Sequence, residues 1–343
     1  MTELLKTMCL LPGATGDEEK VREFIRASAE KYADDISEDS IGNLYVFKKG
    51  RKRRSKPLMV CAHMDEVGII IKEICEDGCL RFDFVGGVDT RVVIGQRVFV
   101  GDAAIPGVIG MKAVHLTTKE ERATAPKVSS LFIDIGCEKK SKSEKLVSPG
   151  DFAVFDSEFT PLGENKIKAK ALDDRFGCAI MLKLLGEELS YDTHFVFTVQ
   201  EEAGCRGAHA AAFRVKPAFA LVLESTTAGD IPTAEGAMKV CSPGKGAVIG
   251  CMDGGTIYDK HLFSYLRSVA EEKNIPWQMK SRIAGATDAA SIHVSREGVR
   301  VTSLSLATRY IHTPSSVADL RDIDAILSLS RELINCEEEK LNA

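Results

Sequence analysis

Apolar residues recur along this chain with two different spacings, which predict helices in some segments and strands in others. Residues 16–32 (GDEEKVREFIRASAEKY) have apolar side chains at helical spacing, with acids near the start and bases near the end. Two strand-like runs follow, IGNLYVFKKG (41–50) and KPLMVCAHMDE (56–66), on either side of the basic run RKRRS. Because this run is short and isolated, we interpret it as a solvated hairpin loop and not as a nucleic-acid patch.

The pattern changes between about Ile69 and Thr160. Short strand-like runs alternate with glycines and there is little helical period, which predicts a small β domain. Its apolar strands GIIIKEI (68–74) and GVIGM (107–111) are expected to be exposed and to need covering by another subunit.

After Lys168 the chain alternates regularly between strand and helix patterns. Strands are predicted at THFVFTVQEE (193–202), AFALVLEST (218–226) and VRVTSLSLATRYIHT (299–313). Helices are predicted at 173–189, 204–215, 259–275, 288–298 and 319–338. This alternation is typical of a three-layer α/β domain. We therefore expect a discontinuous α/β domain, 1–68 and 161–343, interrupted by a β domain at 69–160.

Composition and charge exclude several classes of protein. The 343 residues are 44% hydrophobic and 28% charged, which is ordinary for a soluble globular protein. The net charge of −5 gives no sign of nucleic-acid binding. No apolar run approaches the ~20 residues of a membrane span, and the N-terminal segment does not resemble a signal peptide. The ten cysteines are scattered without a CxxC pair, which indicates reduced core thiols in a cytoplasmic protein.

Histidines and carboxylates gather at the predicted ends of strands and helices. In open α/β sheets, functional sites lie outside the carboxyl ends of the strands. Nine acids and histidines occur at such positions: His63, Asp65, Asp173, Asp174, Glu201, Glu202, Glu224, Asp230 and His312.

Imidazole and carboxylate ligands together suit Zn²⁺, Co²⁺ or Mn²⁺ better than Mg²⁺. Five ligands with several carboxylates fit two ions that share one carboxylate, a common hydrolytic arrangement. In the pair Glu201–Glu202, one acid can bind metal while the other takes a proton from the attacking water. Asp65 can orient the imidazole of His63. Taken singly, each feature has an ordinary interpretation as a surface histidine, a helix cap or a solvated acid pair.

The order of these motifs resembles the M42 family of dinuclear metallo-aminopeptidases, a branch of the wider MH clan. The resemblance covers essentially the whole chain and rests on LLKTMCLLPGATGDEEKVREFI, AHMDEVG, AKALDDRFGCA, VQEEAGCRGA, GATDAA and RYIHTP, in the order and approximate spacing of the family. It implies that the inserted segment is a PDZ-like β domain used in assembly. It also implies dimers that build tetrahedral dodecamers with an enclosed chamber.

The resemblance further implies a role for each motif residue. Asp173 would bridge two divalent ions, His63 and Glu224 would complete one site, and Glu202 and His312 the other. Glu201 would be the general base, and Asp65 would orient His63. The family often has Asp where this chain has Glu224, and an acid where this chain has Ser315 and Ser316 after the proline.

These observations predict a peptidase that removes N-terminal residues from peptides. A dinuclear amidohydrolase that deacylates small acylated amino acids is the alternative, because the same ligands could serve it. A binding protein that keeps the fold without activity would require a broken site, and none of the expected ligands is lost. The motifs do not indicate which N-terminal residue is preferred, and they predict no nucleic-acid or membrane partner.

Overall fold

A computed structural model describes residues 1–342 as a succession of helices and strands. The helices are α1 (Thr2–Leu10), α2 (Glu19–Ala29), α3 (Lys119–Ala123), α4 (Lys140–Ser143), α5 (Leu172–Leu185), α6 (Arg206–Val215), α7 (Lys260–Glu272), α8 (Ala289–Ile292), α9 (Leu320–Asn335) and α10 (Glu338–Asn342). Within that range, no helix is long and apolar enough to cross a bilayer.

The strands are β1 (Asp35–Glu38), β2 (Leu44–Lys48), β3 (Leu58–His63), β4 (Gly68–Ile74), β5 (Leu80–Val85), β6 (Arg97–Val100), β7 (Ile105–Met111), β8 (Leu131–Asp134), β9 (Phe152–Phe155), β10 (Thr160–Leu162), β11 (Lys166–Ala169), β12 (Thr193–Thr198), β13 (Phe219–Thr227), β14 (Ala247–Ile249), β15 (Trp277–Gln278), β16 (Arg300–Thr308) and β17 (Ser316–Asp319). They form an eight-stranded sheet, a closed barrel and a three-stranded sheet.

The eight-stranded sheet has the order β1-β2-β12-β3-β13-β16-β14-β15. Its four central strands, β12, β3, β13 and β16, are parallel. The flanking strands β2 and β14 pair with this group in the antiparallel sense. The carboxyl ends of the four central strands therefore meet at one edge of the sheet, where ligands bind in open α/β folds.

Helices cover both faces of this sheet, and strand β3 shows how the sequence directs them. Leu58, Val60 and Ala62 belong to the core cluster that includes α1, α2, α5 and α9. Met59 and Cys61 belong to the core cluster on the other face, with α6 and α8. This alternation, with apolar residues on both faces, is expected of a strand buried between two helical layers. The predicted α/β class is confirmed.

The barrel is closed by six strands in the order β4-β5-β8-β7-β6-β9. Every pairing in it is antiparallel, and its strands run from Gly68 to Phe155. It has an apolar core of its own, which is separate from the core of the large sheet.

The expectation that the strands GIIIKEI and GVIGM expose apolar surface is mostly wrong. Ile69, Ile71, Ile74 and Ile109 are all at most 4% exposed. Closure of the barrel directs alternate side chains inward, so these isoleucines form its interior. Val108 is the exception at 45% exposed.

The exposed apolar surface of the barrel segment lies mainly elsewhere, at Val114 (66% exposed) and Leu116 (60% exposed). These residues lie in the connection between β7 and β8. Sequence alternation cannot identify such residues, because they belong to no strand.

Strand β17 was not expected from the sequence, and it explains one of the two serines after the proline. The strand pairs with β11, which also pairs with β10. The hydroxyl of Ser316 donates a hydrogen bond to the carbonyl oxygen of Tyr310 at 3.0 Å. Ser316 therefore holds the turn that carries His312 back toward the sheet.

Candidate metal centre

Six side chains converge at the carboxyl edge of the parallel strands. His63 is the last residue of β3, and its backbone is paired with Thr198, the last residue of β12. The other five are delivered by the turn after β12, by β13, by the turn after β16 and by the start of α5: Glu201, Glu202, Glu224, His312 and Asp173.

Asp173 contacts both histidines, through different oxygen atoms. Its Oδ1 atom lies 3.3 Å from Nε2 of His63, and its Oδ2 atom lies 3.3 Å from Nε2 of His312. On the His63 side, Oε1 of Glu224 lies 3.4 Å from the same Nε2 atom. On the His312 side, Oε1 of Glu202 lies 3.3 Å from Nε2. The centre therefore consists of two half-sites that share one carboxylate.

The Nδ1 nitrogen of each imidazole is hydrogen-bonded to a backbone carbonyl oxygen. Nδ1 of His63 lies 3.0 Å from the carbonyl oxygen of Asp65, and Nδ1 of His312 lies 2.9 Å from that of Gly87. A carbonyl oxygen only accepts, so each Nδ1 carries the proton and donates. In the neutral tautomer, the Nε2 lone pair of each ring then faces carboxylate oxygens, which is a repulsive arrangement unless a cation lies between them.

The spacing of these atoms fits a metal ion. Ligands about 2.0–2.2 Å from a tetrahedral ion are separated from one another by about 3.3–3.6 Å. The observed separations of 3.3–3.4 Å lie within that range. In addition, Oε2 of Glu224 is buried and has no hydrogen-bond partner among the described residues. A buried carboxylate oxygen without a partner is costly, and a bound cation would satisfy it.

Protonated histidines are the alternative source of positive charge. Burial lowers the pKa of His312, but its hydrogen bond with Asp173 and the charge of Glu202 outweigh that effect and raise the pKa to about 9. However, direct pairs between a protonated nitrogen and a carboxylate oxygen are usually about 2.7–2.9 Å long. All four contacts are 0.4 Å or more beyond that range, which favours metal binding.

Burial also dominates the electrostatics of the acids. It raises the pKa of both Glu201 and Glu202 to about 8, and it raises the pKa of Glu224 well above its usual value. Charged carboxylates crowded in a site with little water need compensating positive charge. Cation binding would meet that requirement and would keep these acids ionised.

Asp65 holds the segment that carries both glutamates. Its carboxylate accepts hydrogen bonds from the backbone nitrogens of Glu201 and Glu202, each at 3.1 Å, and from the hydroxyl of Thr15 at 2.8 Å. Its Oδ1 atom lies 3.5 Å from Nδ1 of His63, farther than its own carbonyl oxygen. Asp65 therefore lies beside His63, and its backbone oxygen makes a shorter contact with the imidazole than its carboxylate does.

Glu201 lies beside the two half-sites. Its Oε2 atom is 4.0 Å from Nε2 of His63, and its side chain is 12% exposed. Cys205 and Asp288 lie close to it, with one ligand-type atom from each of the three residues within 4.8 Å of the others. Asp288 accepts a hydrogen bond from Thr198 at 2.6 Å. Asp288 belongs to the GATDAA motif, and the sequence alone predicts no role for it.

Two other predicted acids are placed differently. The carboxylate of Asp230 binds Arg309 through two contacts of 2.7 and 2.6 Å, and it does not join the centre. Asp174 is buried near His63 and accepts hydrogen bonds from the backbone nitrogens of His63 and Gly177, both at 3.2 Å. One carboxylate oxygen of Asp174 also lies within 4.8 Å of a ligand-type atom of His63 and of Glu224, so Asp174 borders the half-site on the His63 side.

Comparisons with known proteins agree with this architecture. A sequence model of the M42 glutamyl aminopeptidase family matches residues 42–329. A putative aminopeptidase of Acetivibrio thermocellus is 38% identical, over 97% of this chain and 98% of the relative. Lysyl aminopeptidase of Pyrococcus furiosus is 32% identical, over 97% of this chain and 96% of the relative. The TET1 peptidase of Pyrococcus horikoshii superimposes with a TM-score of 0.86 at 33% identity, over 97% of this chain and 98% of that structure. It is described as assembling into a tetrahedron or a large octahedral shell.

Proposed function

The chain belongs to the M42 peptidase family, and on that premise we propose that it is a dinuclear metal-dependent aminopeptidase that removes N-terminal residues from peptides. The observation that carries the proposal is the position of Asp173, whose two carboxylate oxygens face the Nε2 atoms of two different histidines.

In this proposal each half-site holds one divalent ion, Zn²⁺ or Co²⁺ with Mn²⁺ as a third candidate. His63 and Glu224 hold the first, His312 and Glu202 hold the second, and Asp173 is shared. When bound, the ions supply Lewis-acid stabilisation of the developing oxyanion and a site for the free α-amino group. Glu224 replaces the more common Asp of the family, and its Oε1 atom still reaches 3.4 Å from His63.

Glu201 is the proposed general base. Its carboxylate has no contact shorter than 4.0 Å with either histidine among residues 1–342, so it is free to exchange a proton. It would take a proton from the attacking water and return it to the leaving amine. Asp65 would position it, because the Asp65 carboxylate holds its backbone nitrogen.

We also propose that the segment 69–160 is a PDZ-like domain that mediates assembly, while 1–68 and 161–343 form the catalytic domain. We propose a homo-oligomer in which dimers build a dodecamer. The TET1 relative, described as assembling into a tetrahedron or a large octahedral shell, supports a closed assembly of this kind. The cytoplasm is the proposed location, because all ten cysteines, which lie within the described residues, are free thiols.

The test is hydrolysis of aminoacyl-p-nitroanilides compared with the matching N-acetylated compounds, with metal-reloaded protein. An aminopeptidase should cleave only the compounds with a free amine. Preferential cleavage of the N-acetyl compounds would indicate the deacylase alternative, and cleavage of neither would refute both. The family description names glutamyl activity and one relative is a lysyl enzyme, so these names leave the preferred residue of this chain open.

A further inference from the structure

Three ligand-type side chains meet beside the metal centre without belonging to either half-site. They are Glu201, Cys205 and Asp288, and one ligand-type atom from each lies within 4.8 Å of the other two. Glu201 and Cys205 lie in one turn, because the backbone nitrogen of Cys205 donates to the carbonyl oxygen of Glu201 at 2.8 Å. Asp288 directly precedes α8, which packs against α6. The fold therefore builds this three-residue cluster from two separate segments.

Asp288 carries a buried oxygen atom that has no partner in the protein. The residue is 1% exposed, and its Oδ2 atom accepts a hydrogen bond from the hydroxyl of Thr198 at 2.6 Å. Its Oδ1 atom is buried and makes no hydrogen bond within residues 1–342. A buried carboxylate oxygen without a partner is costly, and a cation bound in the cluster would satisfy it.

The sulfur of Cys205 has the spacing of a metal ligand. Its Sγ atom lies 3.4 Å from Oε1 of Glu201. A tetrahedral ion with a thiolate at about 2.3 Å and a carboxylate oxygen at about 2.0–2.2 Å holds these two atoms about 3.5–3.7 Å apart, which is close to the observed distance. The carbonyl oxygen of Thr287 is also 3.4 Å from the sulfur. A single thiol proton cannot satisfy both acceptors, whereas a cation would bind the sulfur and the carboxylate together.

An ion can reach this cluster from solution through a cavity of about 170 Å³ that borders the metal centre. Glu201 lines this cavity, and so does Thr287, the residue before Asp288. Cys205 is itself partly exposed. The cluster is therefore open on the side from which substrate and solvent approach the centre.

We propose that Glu201, Cys205 and Asp288 form a third cation site, which binds a thiophilic divalent ion such as Zn²⁺ or Cd²⁺ and thereby inhibits the enzyme. On binding, the thiol of Cys205 releases its proton to solvent, and the ion forms bonds to the thiolate sulfur and to carboxylate oxygens. Thiolate ligation selects Zn²⁺ and Cd²⁺ over Mg²⁺. The inhibition rests on the proposed function, because a metal-bound Glu201 can no longer act as the base; the binding itself does not.

The third site should be weaker than the two half-sites. Glu201 approaches His63 at 4.0 Å, so an ion held by Glu201 is repelled by an ion in the half-site on the His63 side. In addition, binding must remove the proton of Cys205. The third ion should therefore bind only when metal is in excess, and it should be lost on desalting.

Equilibrium dialysis against excess Zn²⁺, with protein whose half-sites already hold Zn²⁺, tests the binding. The wild type should bind one ion more per chain than Cys205→Ala or Asp288→Asn over the same range. Loss of a group that only supports a metal ligand costs about 10–100-fold in affinity, so loss of a ligand should raise the midpoint by at least about 10-fold. Cys251→Ala is the matched control, because Cys251 is a partly exposed thiol outside the cluster, and it should bind as the wild type does.

Cd²⁺ gives a direct readout of the sulfur. The two half-sites contain no thiol, so the ultraviolet absorption band of a Cd–thiolate bond reports cysteine ligands alone. The part of this band that disappears in Cys205→Ala and remains in Cys251→Ala comes from the cluster. Equal ion content and an equal band in the wild type and Cys205→Ala would overturn the site. Cys205→Ala decides if Asp288→Asn does not fold.

Hydrolysis of a p-nitroanilide measures the consequence of binding. Excess Zn²⁺ or Cd²⁺ should inhibit the wild type and Cys251→Ala, whereas excess Mg²⁺ should not. Cys205→Ala and Asp288→Asn, each compared with its own activity at two ions per chain, should need at least about 10-fold more Zn²⁺ for half-inhibition. A third ion that binds without inhibition would overturn the inhibitory role. If no p-nitroanilide is cleaved under any condition, the proposed function fails, and dialysis and the Cd–thiolate band still decide the site.

Discussion

The thiol of Cys205 donates a hydrogen bond to Oε1 of Glu201 across 3.4 Å. The same sulfur lies 3.4 Å from the carbonyl oxygen of Thr287, so two acceptors flank its single proton. On its other side, Glu201 approaches His63 through Oε2 at 4.0 Å. Cys205 thus contacts one carboxylate oxygen of the proposed general base, while the other oxygen faces His63.

Replacement of this thiol should slow the reaction modestly. Cys205→Ala removes a hydrogen bond worth about 0.5–1.5 kcal/mol, so kcat should fall by about 2- to 10-fold with little change in metal content. Cys205→Ser keeps a donor and should recover part of the loss. Steady-state kinetics on a cleaved p-nitroanilide will measure this, with Cys75→Ala in the barrel segment as the control. Equal kcat for Cys205→Ala and wild type would show that the contact does not position Glu201.

The proposed base is tested by Glu201→Gln. The amide keeps the size of the side chain but cannot exchange a proton, so kcat should fall by about 10²- to 10⁴-fold. The metal content should stay near that of the wild type, because Glu201 lies outside both half-sites. Glu202→Gln is the matched comparison and should weaken or lose one ion. More than about a tenth of wild-type kcat in Glu201→Gln, with both ions bound, would mean that another group is the base.

The number of metal ions bound per chain tests the two half-sites separately. Reloaded wild-type protein should approach two ions per chain, and chelation should abolish activity. His63→Ala and His312→Ala should each lower the content to about one ion, whereas Asp173→Asn should weaken both sites because its oxygens face both histidines. Elemental analysis after desalting measures the content. Two tightly bound ions in His312→Ala, or none in folded wild-type protein, would contradict the arrangement.

The segment AHMDE (62–66) shows which features of the site can be predicted from the sequence and which cannot. Its position after an apolar strand predicts that His63 and Asp65 lie at a strand end, and both do. The partner of Glu66 could not be predicted, because Lys170 lies 104 residues away in sequence and its Nζ atom is 2.5 Å from Glu66 in space. Local pattern identifies which residues end an element, but pairing across the fold depends on how the elements pack.

Contacts between residues far apart in sequence are also the features of the site that the sequence does not predict. The contact of His312 with the carbonyl oxygen of Gly87 joins residues 225 positions apart. The predicted exposure of the barrel strands is mostly wrong for a related reason, because alternation indicates two faces of a strand without showing that the sheet closes on itself.

Assembly should depend on the exposed apolar residues of the barrel segment. Val114 and Leu116 are 66% and 60% exposed, and apolar surface of this kind is usually covered in an assembly. Light scattering should give a mass near twelve times the 37.3 kDa chain. The double change Val114→Asp with Leu116→Asp should give a smaller species, whereas Ile41→Asp, outside the barrel, should not. A monomer at every concentration with metal present would contradict the assembly.

The buried ion pairs of Glu66 give the last prediction. Glu66, Lys170 and Arg175 are all at most 4% exposed, and Glu66 lies 2.5 Å from Lys170 and 3.5 Å from Arg175. Glu66→Gln leaves two buried cations without their carboxylate, so it should destabilise the protein by about 3–5 kcal/mol. Lys170→Met should cost less, because Arg175 remains beside Glu66.

Thermal unfolding at fixed protein and metal concentration should therefore rank wild type above Lys170→Met, and Lys170→Met above Glu66→Gln. The double variant should be more stable than Glu66→Gln alone, because it removes one of the two unpaired cations. Arg175 keeps backbone acceptors in either case, since its guanidinium donates to the carbonyl oxygens of Met8 and Met64 at 2.6 and 2.7 Å. A Glu66→Gln variant that unfolds at or above the temperature of Lys170→Met would show that charge balance does not control the stability of this cluster.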